Sequence, residues 1–512
     1  MPSVTLSPER RKQLIGAGML LVYAVLALIG ATHHELWFDE AQAWGIARDA
    51  TLDTFTDILR HEGHPALWYL ILMPFAKAGM HCEVINIISW LFSVAAAGLF
   101  VWKAPFGIVF KAAVLFSSGF LYFNSVNSRV YCLIPLLLFL IAIVYPKRDK
   151  YAPIYGLLVG LLANTHIMMC GLVGVLGIFM LIELVQGIRR DGLKKSAGKI
   201  AGLVIAGVLV IAMILPLLGS LSSNNMVNEN SISAFSLITG PLWTFAHIGV
   251  YLTPEANAFG AILGIFLILA LAALFSYKRA FIMSVAFTVM YGVIIEGIWY
   301  TTQLRAPVFL YTFVAIFWIA VENEKPRKLH IPDKNLGSIG KKLILGVKKF
   351  YSAPKKTVSL FLGIMLFASL PAGAYWLYYD CFNETVKSES AAKFISEKLP
   401  QDAVVIVGDQ ACIQINAYTP KTRFYSLELQ RFITFSPHEI APETPDKAKI
   451  RSDLSDFPNL YFVRCSDKPR EDTSEQNNRV YCESAEKTPP YAFSGTVEIL
   501  KVSLDELIKD FI

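Results

Sequence analysis

Charge is the scarcest ingredient of this chain. Of its 512 residues only 17% are Asp, Glu, Lys or Arg, while 54% are hydrophobic. Soluble globular chains carry about 25% charged residues, so a protein this poor in charge cannot cover a water-facing surface of its size. A soluble multidomain protein is therefore excluded, and the apolar content excludes a disordered, collagenous or small disulfide-scaffold chain. The seven cysteines form no C-x-x-C pair and no His/Cys cluster, so nothing supports a zinc site. Cys82, Cys132 and Cys170 fall in or beside apolar stretches, and Cys381, Cys412, Cys465 and Cys482 fall near the C-terminus. The C-terminal stretch also lacks a G-x-G-x-x-G, a P-loop and a nucleophile elbow. No internal repeat is evident, which weakens an inverted-repeat transporter reading.

What is present is apolar sequence in spanning lengths. A membrane-crossing helix needs about 20 apolar residues for ~30 Å of hydrocarbon. Eleven runs qualify, at about 13–31, 84–102, 112–127, 131–145, 152–165, 167–186, 199–219, 258–276, 280–298, 305–321 and 357–378. The first runs on into more membrane chain without an A-x-A-like cleavage site, so it is expected to be an anchor. Basic residues stay cytoplasmic, and Arg10, Arg11 and Lys12 precede the first run, which places the N-terminus inside. The stretch 65–79 is short and interrupted by Pro74. Treating it as juxtamembrane or re-entrant puts every basic loop inside, including 322–356 with ten Lys and Arg against three acids. That loop is expected to touch anionic lipid headgroups. The outer surface then receives the acidic 32–64 loop, the 220–257 loop and the tail from 379.

The charge balance marks the same division. Residues 1–379 hold 30 Lys and Arg against 18 Asp and Glu, whereas 380–512 hold 16 against 22. Within the tail, 389–399 has helical spacing, and 403–407, 422–427, 459–464 and 496–502 read as strands. The expectation is a polytopic α-helical membrane protein. A transmembrane domain covers 1–378, with an outer loop 32–83 carrying juxtamembrane helices, and a small extracytoplasmic α/β domain covers 379–512. The sequon Asn383-Glu384-Thr385 would matter only in a eukaryotic secretory setting.

The first outer loop carries Phe38-Asp39-Glu40-Ala41, Trp44, and then Glu62-Gly63-His64-Pro65-Ala66-Leu67. Acids at a helix N-terminus are favoured by the helix dipole and often do nothing else. In order along the chain, however, follow Asn127-Ser128-Arg129-Val130-Tyr131 and Asn164-Thr165-His166, both at the outer ends of apolar runs, and then the helix-to-strand stretch 389–425. Together these resemble the GT-C glycosyltransferases, and among them the bacterial family 39 enzymes related to protein O-mannosyltransferases and the lipid A aminoarabinose transferase. The likeness covers nearly the whole chain, and the order and shared outward placement of short motifs carry it. Two departures concern the acceptor: Pro65-Ala66 holds one proline where the family usually shows two, and Gln303-Leu304-Arg305 lacks the Arg-His-Gly pattern of some relatives.

The resemblance implies an inverting transfer of a sugar from a polyprenyl phosphate. A leaving phosphate of low basicity needs charge stabilisation more than a general acid, and the acceptor hydroxyl or amine needs a base. Asp39 is the candidate base, with Glu40 or Glu62 orienting acceptor, sugar or a divalent cation. His64, Arg129 and Arg305 are candidates to hold the phosphate, and Tyr131 and Trp44 to stack on sugar or prenyl chain. His166 and Glu296 join them as candidate substrate contacts, Glu296 because an intramembrane acid is a functional suspect. Against each stands a plainer role: snorkelling for Arg129 and Arg305, a structural hydrogen bond for His166, an ion pair with Arg305 for Glu296. Glu183, near Arg189 and Arg190, reads as structural.

The expected function is glycosyl transfer to a cell-envelope lipid, glycan or protein on the outer face of a bacterial plasma membrane, with no role for nucleic acid. The alternatives are a non-catalytic lipid-linked glycan transporter or flippase, and a degenerate relative kept as a scaffold. A transporter should line its whole path with polar groups, whereas here they cluster at the outer ends of the runs.

Overall fold

The computed structural model describes residues 7–62, 64–222, 257–297, 305–327, 338–384, 387–408, 413–435, 445–466, 478–484 and 496–511. The helical part runs as α1 (Pro8–His33), α2 (Phe38–Asp49), α3 (Leu52–Glu62), α4 (Leu67–Lys77), α5 (Val84–Lys103), α6 (Ile108–Phe116), α7 (Leu133–Val144), α8 (Ala152–Ala163), α9 (Cys170–Asp191) and α10 (Ala197–Ser222). It continues with α11 (Asn257–Leu274), α12 (Lys278–Gly297), α13 (Ala306–Asn323), α14 (Ser338–Ser352), α15 (Pro354–Ala368) and α16 (Leu370–Phe382). Six helical segments among the described residues are long and apolar enough to cross a membrane, and four shorter apolar helices accompany them. The chain is a multi-pass membrane protein.

Burial follows the rules of a bilayer. α1 packs through Gly16, Tyr23, Ala27, Gly30 and Ala31 while Leu14, Leu21, Val22 and Val25 stay exposed. Small residues let helices approach, and large apolar side chains face lipid. α13 is buried along nearly its whole length from Val308 to Ala320 and forms the bundle centre, as an all-round apolar helix must. α14 exposes Leu343, Leu345 and Val347 beside Lys341, Lys342 and Lys349, a composition suited to lying at a membrane surface.

α8 and α10 touch backbone to backbone. A Cβ on Gly156 would lie 1.9 Å from the Gly202 carbonyl oxygen, and one on Gly202 would lie 2.3 Å from that of Ala152. Neither carbonyl is a flexible side-chain end, so the helices would have to separate. Gly156→Val should lower stability by at least the ~1–3 kcal/mol typical of overpacking, read as a lower thermal midpoint in detergent. An unchanged midpoint would mean that α8 and α10 are not in contact.

Two predicted spans are not continuous helices. The run 112–127 breaks after α6, because Ser117 turns extended and its Oγ bonds the Val114 carbonyl at 2.7 Å. A short π-helical turn, Gly119–Phe123, follows, and the chain then loops through Asn124, Ser125, Asn127 and Ser128. Close passage of two helices shapes the break: a Cβ on Gly119 would lie 2.8 Å from Pro307, and one on Gly373 would lie 2.8 Å from the Ser118 Cα. The run 357–378 is likewise divided into α15 and α16 at Ser369, whose Oγ accepts from the Ser118 amide at 3.3 Å. The stretch 65–79 holds α4, an 11-residue helix containing Pro74 that packs against α2. Glu183 pairs with Arg148 and Arg279, at 2.7 and 2.6 Å, rather than with its sequence neighbours Arg189 and Arg190.

The C-terminal part is a small α/β domain. Its sheet holds β1 (Val404–Val407), β2 (Arg423–Ser426), β3 (Arg431–Ile433), β4 (Leu460–Ser466), β5 (Arg479–Ser484) and β6 (Thr496–Val502), in the order β3-β2-β1-β4-β6-β5. β1 is parallel to both neighbours, and the outer pairings are antiparallel. Alternate residues of β1 feed two cores. Val405 and Val407 pack with α17 (Ser388–Lys398) and α18 (Ile413–Tyr418). Val404 and Ile406 pack with α19 (Lys447–Leu454) and α20 (Leu504–Asp510). The four expected strands are present; β3 and β5, with three and six residues and mixed polarity, are edge additions that the sequence reading lacked. Cys381, Cys465 and Cys482 are free thiols, and Cys412 lies outside the described residues.

The first loop is the seat of this domain. The Tyr418 hydroxyl accepts from the Leu36 amide at 2.8 Å, and Gln414 Nε2 donates to the Leu36 carbonyl at 3.2 Å. Arg48 Nη2 donates to the Thr434 carbonyl at 2.9 Å, and a Cβ on Gly45 would meet Phe435 at 2.9 Å. Phe38 packs into the core below β1.

Candidate functional site

Beneath that seat, at the end of the bundle, lies a cavity of about 140 Å³ lined by Asp39, Gln42, Glu62, His64, Trp68, Tyr69, Arg129 and Arg305 among others. Each element delivers its residue for a local reason. Asp39 and Glu40 occupy the first turn of α2, where the dipole favours acids. Gln42 stands one turn on from Asp39, on the same face. The broken run after α6 turns the chain so that Arg129 enters from the side, and Arg305 caps the start of α13.

Asp39 and Arg129 form an ion pair through Asp39 Oδ2 and Arg129 Nη1. Arg129 Nη2 lies 3.2 Å from His64 Nε2. The Arg129 side chain is only 8% exposed whereas Asp39 is 40% exposed, so the carboxylate remains open to a ligand while the guanidinium is enclosed. Burial lowers the Arg129 pKa to about 10, with nearby Arg305 pushing the same way against Tyr131. The group stays charged at neutral pH. Its guanidinium also stands over the Tyr131 ring, 5.9 Å from the centroid.

His166 is fully buried behind this pair. Its Nδ1 accepts from the Met168 amide at 3.2 Å, and its Nε2 lies 3.4 Å from the Tyr131 hydroxyl. Its ring sits 5.5 Å from that of His64. Burial first, then the charges of His64, Arg305 and Arg129, hold the His166 pKa well below its usual value, so it is a neutral imidazole. Glu62 is 4% exposed, accepting from Gln42 Nε2 at 2.7 Å and from the Tyr69 hydroxyl at 3.3 Å.

The structure thus brings Asp39, Glu62, His64, Arg129 and Arg305 to one cavity, with Tyr131 and His166 immediately behind. Glu40 and Trp44 do not line it. Glu40 is fully buried and turns inward, and Trp44, 1% exposed, belongs to the packed core. Glu296 lies in α12, but its side chain is outside the described residues. Among the described residues no three His, Cys, Asp or Glu side chains converge as a metal site.

Sequence reasoning missed Gln42, Trp68 and Tyr69. The i, i+3 relation to Asp39 was available as a signal for Gln42. Trp68 and Tyr69 sit in a stretch whose apolarity read only as membrane contact. The indole Nε1 of Trp68 is buried with no hydrogen-bond partner among the described residues, and buried donors ordinarily have one. Trp68→Phe removes that donor and keeps most of the ring. If the indole N–H serves a bound ligand, this change should weaken ligand affinity by the ~0.5–1.5 kcal/mol of one hydrogen bond without lowering the thermal midpoint. A lower midpoint at unchanged affinity would assign Trp68 to packing alone.

No protein-family model matches the sequence, and no curated protein is similar to it in sequence. Solved structures do share its fold. One is ArnT from Cupriavidus metallidurans bound to undecaprenyl phosphate, with a TM-score of 0.54 over 95% of this chain and 98% of that one, at 11% identity. The chain therefore shares the fold of that structure, helical bundle and C-terminal α/β domain together.

Proposed function

We propose that this GT-C-fold protein is an inverting glycosyltransferase that takes its sugar from a polyprenyl-phosphate donor. The observation that carries the reading is the cavity in which a half-exposed carboxylate, Asp39, meets the enclosed cation Arg129 beside His64 and Arg305. Glycosyl transfer from a lipid phosphate asks for such a combination: a base for the acceptor and cations for the leaving group. The fold neighbour bound to undecaprenyl phosphate supports the donor class.

In this reading the acceptor oxygen or nitrogen attacks the anomeric carbon from the face opposite the phosphate. Its proton passes to Asp39. The bond between the anomeric carbon and the phosphate oxygen breaks, and its electron pair stays on the phosphate, where Arg129, His64 and Arg305 offset the charge. The products are the glycosylated acceptor, inverted at the anomeric centre, and a polyprenyl phosphate.

Purified protein incubated with radiolabelled polyprenyl-phosphate sugars and cell-envelope acceptors tests the reading. Label transfer that disappears in Asp39→Asn supports it. Absence of both transfer and saturable binding of undecaprenyl phosphate would end it. The acceptor class proposed is a hydroxyl or amine of an envelope lipid, glycan or protein.

The same reading places the site and the α/β domain on the extracytoplasmic side of a bacterial plasma membrane, with the N-terminus inside. In intact cells, with native cysteines replaced, a cysteine at Ser455 should react with a membrane-impermeant thiol reagent and one at Ser338 should not. Labelling at Ser338 without labelling at Ser455 reverses the orientation.

A further inference from the structure

Behind Asp39 lies a buried bridge of charge that joins three distant parts of the chain. His34 follows the end of α1, and its ring is 6% exposed. Its Nδ1 lies 2.7 Å from Asp380 Oδ2 on α16, and its Nε2 lies 3.0 Å from Glu40 Oε2 on α2. The Tyr122 hydroxyl donates to the same Asp380 oxygen at 2.8 Å. Glu40 Oε2 also accepts from the Trp37 amide at 2.6 Å, while Glu40 Oε1 accepts from the Ser128 amide. The Ser128 hydroxyl donates to Asn86 Oδ1 at 2.6 Å, and Asn86 Nδ2 donates to the His34 carbonyl at 3.2 Å, which closes a ring.

Both nitrogens of one imidazole facing carboxylates means that both are donors, which only the imidazolium allows. Burial works against that charge, but Glu40 and Asp380 outweigh it and hold the His34 pKa well above its usual value. The bridge is then carboxylate, imidazolium, carboxylate. Its excess negative charge is met by the Tyr122 hydroxyl and the amides of Trp37 and Ser128.

The register of these contacts is what connects the bridge to the cavity. Glu40 adjoins Asp39 in α2, and Ser128 adjoins Arg129. The Glu40–Ser128 bond is therefore one residue removed, on both strands of chain, from the Asp39–Arg129 pair. Anything that fixes the Glu40 carboxylate fixes the separation and angle of the groups proposed as base and phosphate ligand. Glu40 is fully buried and does not line the cavity itself.

We propose that His34 is a positioning residue: bonded to Glu40 and Asp380, it locks α2 and the Ser128–Arg129 turn to α16 and so sets the Asp39–Arg129 geometry. The role assigned to that geometry rests on the glycosyltransferase reading above; the lock itself does not. His34→Gln keeps a hydrogen-bonding side chain but removes the cation, leaving two buried carboxylates to repel each other. α2 then shifts against the turn. A misplacement on the order of 1 Å near a reacting centre costs ~10²-fold in rate.

Two measurements on the full-length protein test this, one of them independent of activity. In single-turnover transfer from a polyprenyl-phosphate sugar, His34→Gln should lower the rate constant ~10²-fold while undecaprenyl phosphate binds within about threefold of wild type. A purely structural role predicts instead a smaller active fraction turning over at the normal rate. In hydrogen exchange, peptides covering 35–42, 126–132 and 376–382 should lose protection together while those from α8 and α10 do not change. Asp380→Asn, a milder break of the same bridge, should show the same local pattern should His34→Gln fold poorly. Loss of protection spread over the bundle, or none in these peptides, overturns the lock whatever the activity. Local deprotection in a protein that transfers no sugar at all would retain the lock and overturn only the glycosyltransferase reading.

Discussion

Replacing Asp39 by asparagine should lower turnover by ~10²–10⁴-fold, the contribution of a positioned general base, while folding and donor binding stay near wild type. The substitution keeps size and a hydrogen-bonding oxygen but removes the negative charge, and with it both the proton acceptor and the ion pair with Arg129. Asp39 is the exposed partner of its ion pair, whereas Arg129 is enclosed by the fold, so the loss should not collapse the packing. Arg129 keeps His64 as a neighbour and stays over Tyr131. Freed from Asp39, it should bind undecaprenyl phosphate as well as before or better. Single-turnover rates with saturating donor make the measurement, since slow product release would mask the chemical step. Turnover like that of wild type under those conditions removes Asp39 as base.

Arg129→Lys should lower the single-turnover rate more than it weakens donor binding, and Arg129→Ala should do both. A guanidinium can offer two parallel hydrogen bonds to phosphate oxygens, which an ammonium cannot copy in geometry. Charge on those oxygens rises as the bond to the sugar breaks, so the contact tightens in the transition state. Only such differential binding raises the chemical rate. If Arg129 merely anchored a helix end at the membrane surface, Lys would serve nearly as well. The 8% exposure of the side chain and its bonds to Asp39 and His64 speak against a lipid anchor. Measuring donor affinity and single-turnover rate for both variants decides it: a normal rate in Arg129→Lys removes Arg129 from the site.

Asp39 and Glu40 illustrate how far a sequence can be read. One dipeptide marks both, Asp39 as the candidate base and Glu40 as a candidate to orient acceptor, sugar or cation. Their side chains leave α2 in different directions, one into the cavity and one into the buried bridge with His34 and Asp380. Glu40 accepts the Trp37 amide, so the plainer reading of an acid at a helix start describes it, while Asp39 next to it faces the cavity. His33 and His34 were equally indistinguishable: His33 is exposed and bonds the Ile29 carbonyl within its own helix, whereas His34 is buried between two acids. Asp380 did carry a signal, as an acid at the end of an apolar helix, but its partners are 258 and 346 residues away in sequence.

The sequence by itself determined everything that depends on composition and short-range period. Scarce charge and long apolar runs required a bilayer, and the four core strands of the α/β domain declared themselves as buried β-branched and aromatic runs. These follow from local energetics, because each residue's cost in lipid or in a pleated sheet is paid where it stands. Only the tertiary structure decided where a helix breaks and which side chains converge. The break after α6 depends on Pro307 and on Gly373, from α13 and α16, passing too close to Ser118 and Gly119 for an unbroken helix to continue. The meeting of Asp39 with Arg129 depends in turn on that break and on a bridge assembled from α1, α2 and α16. Both also need contacts from segments far away in sequence, and packing of distant segments leaves no period in the sequence to read.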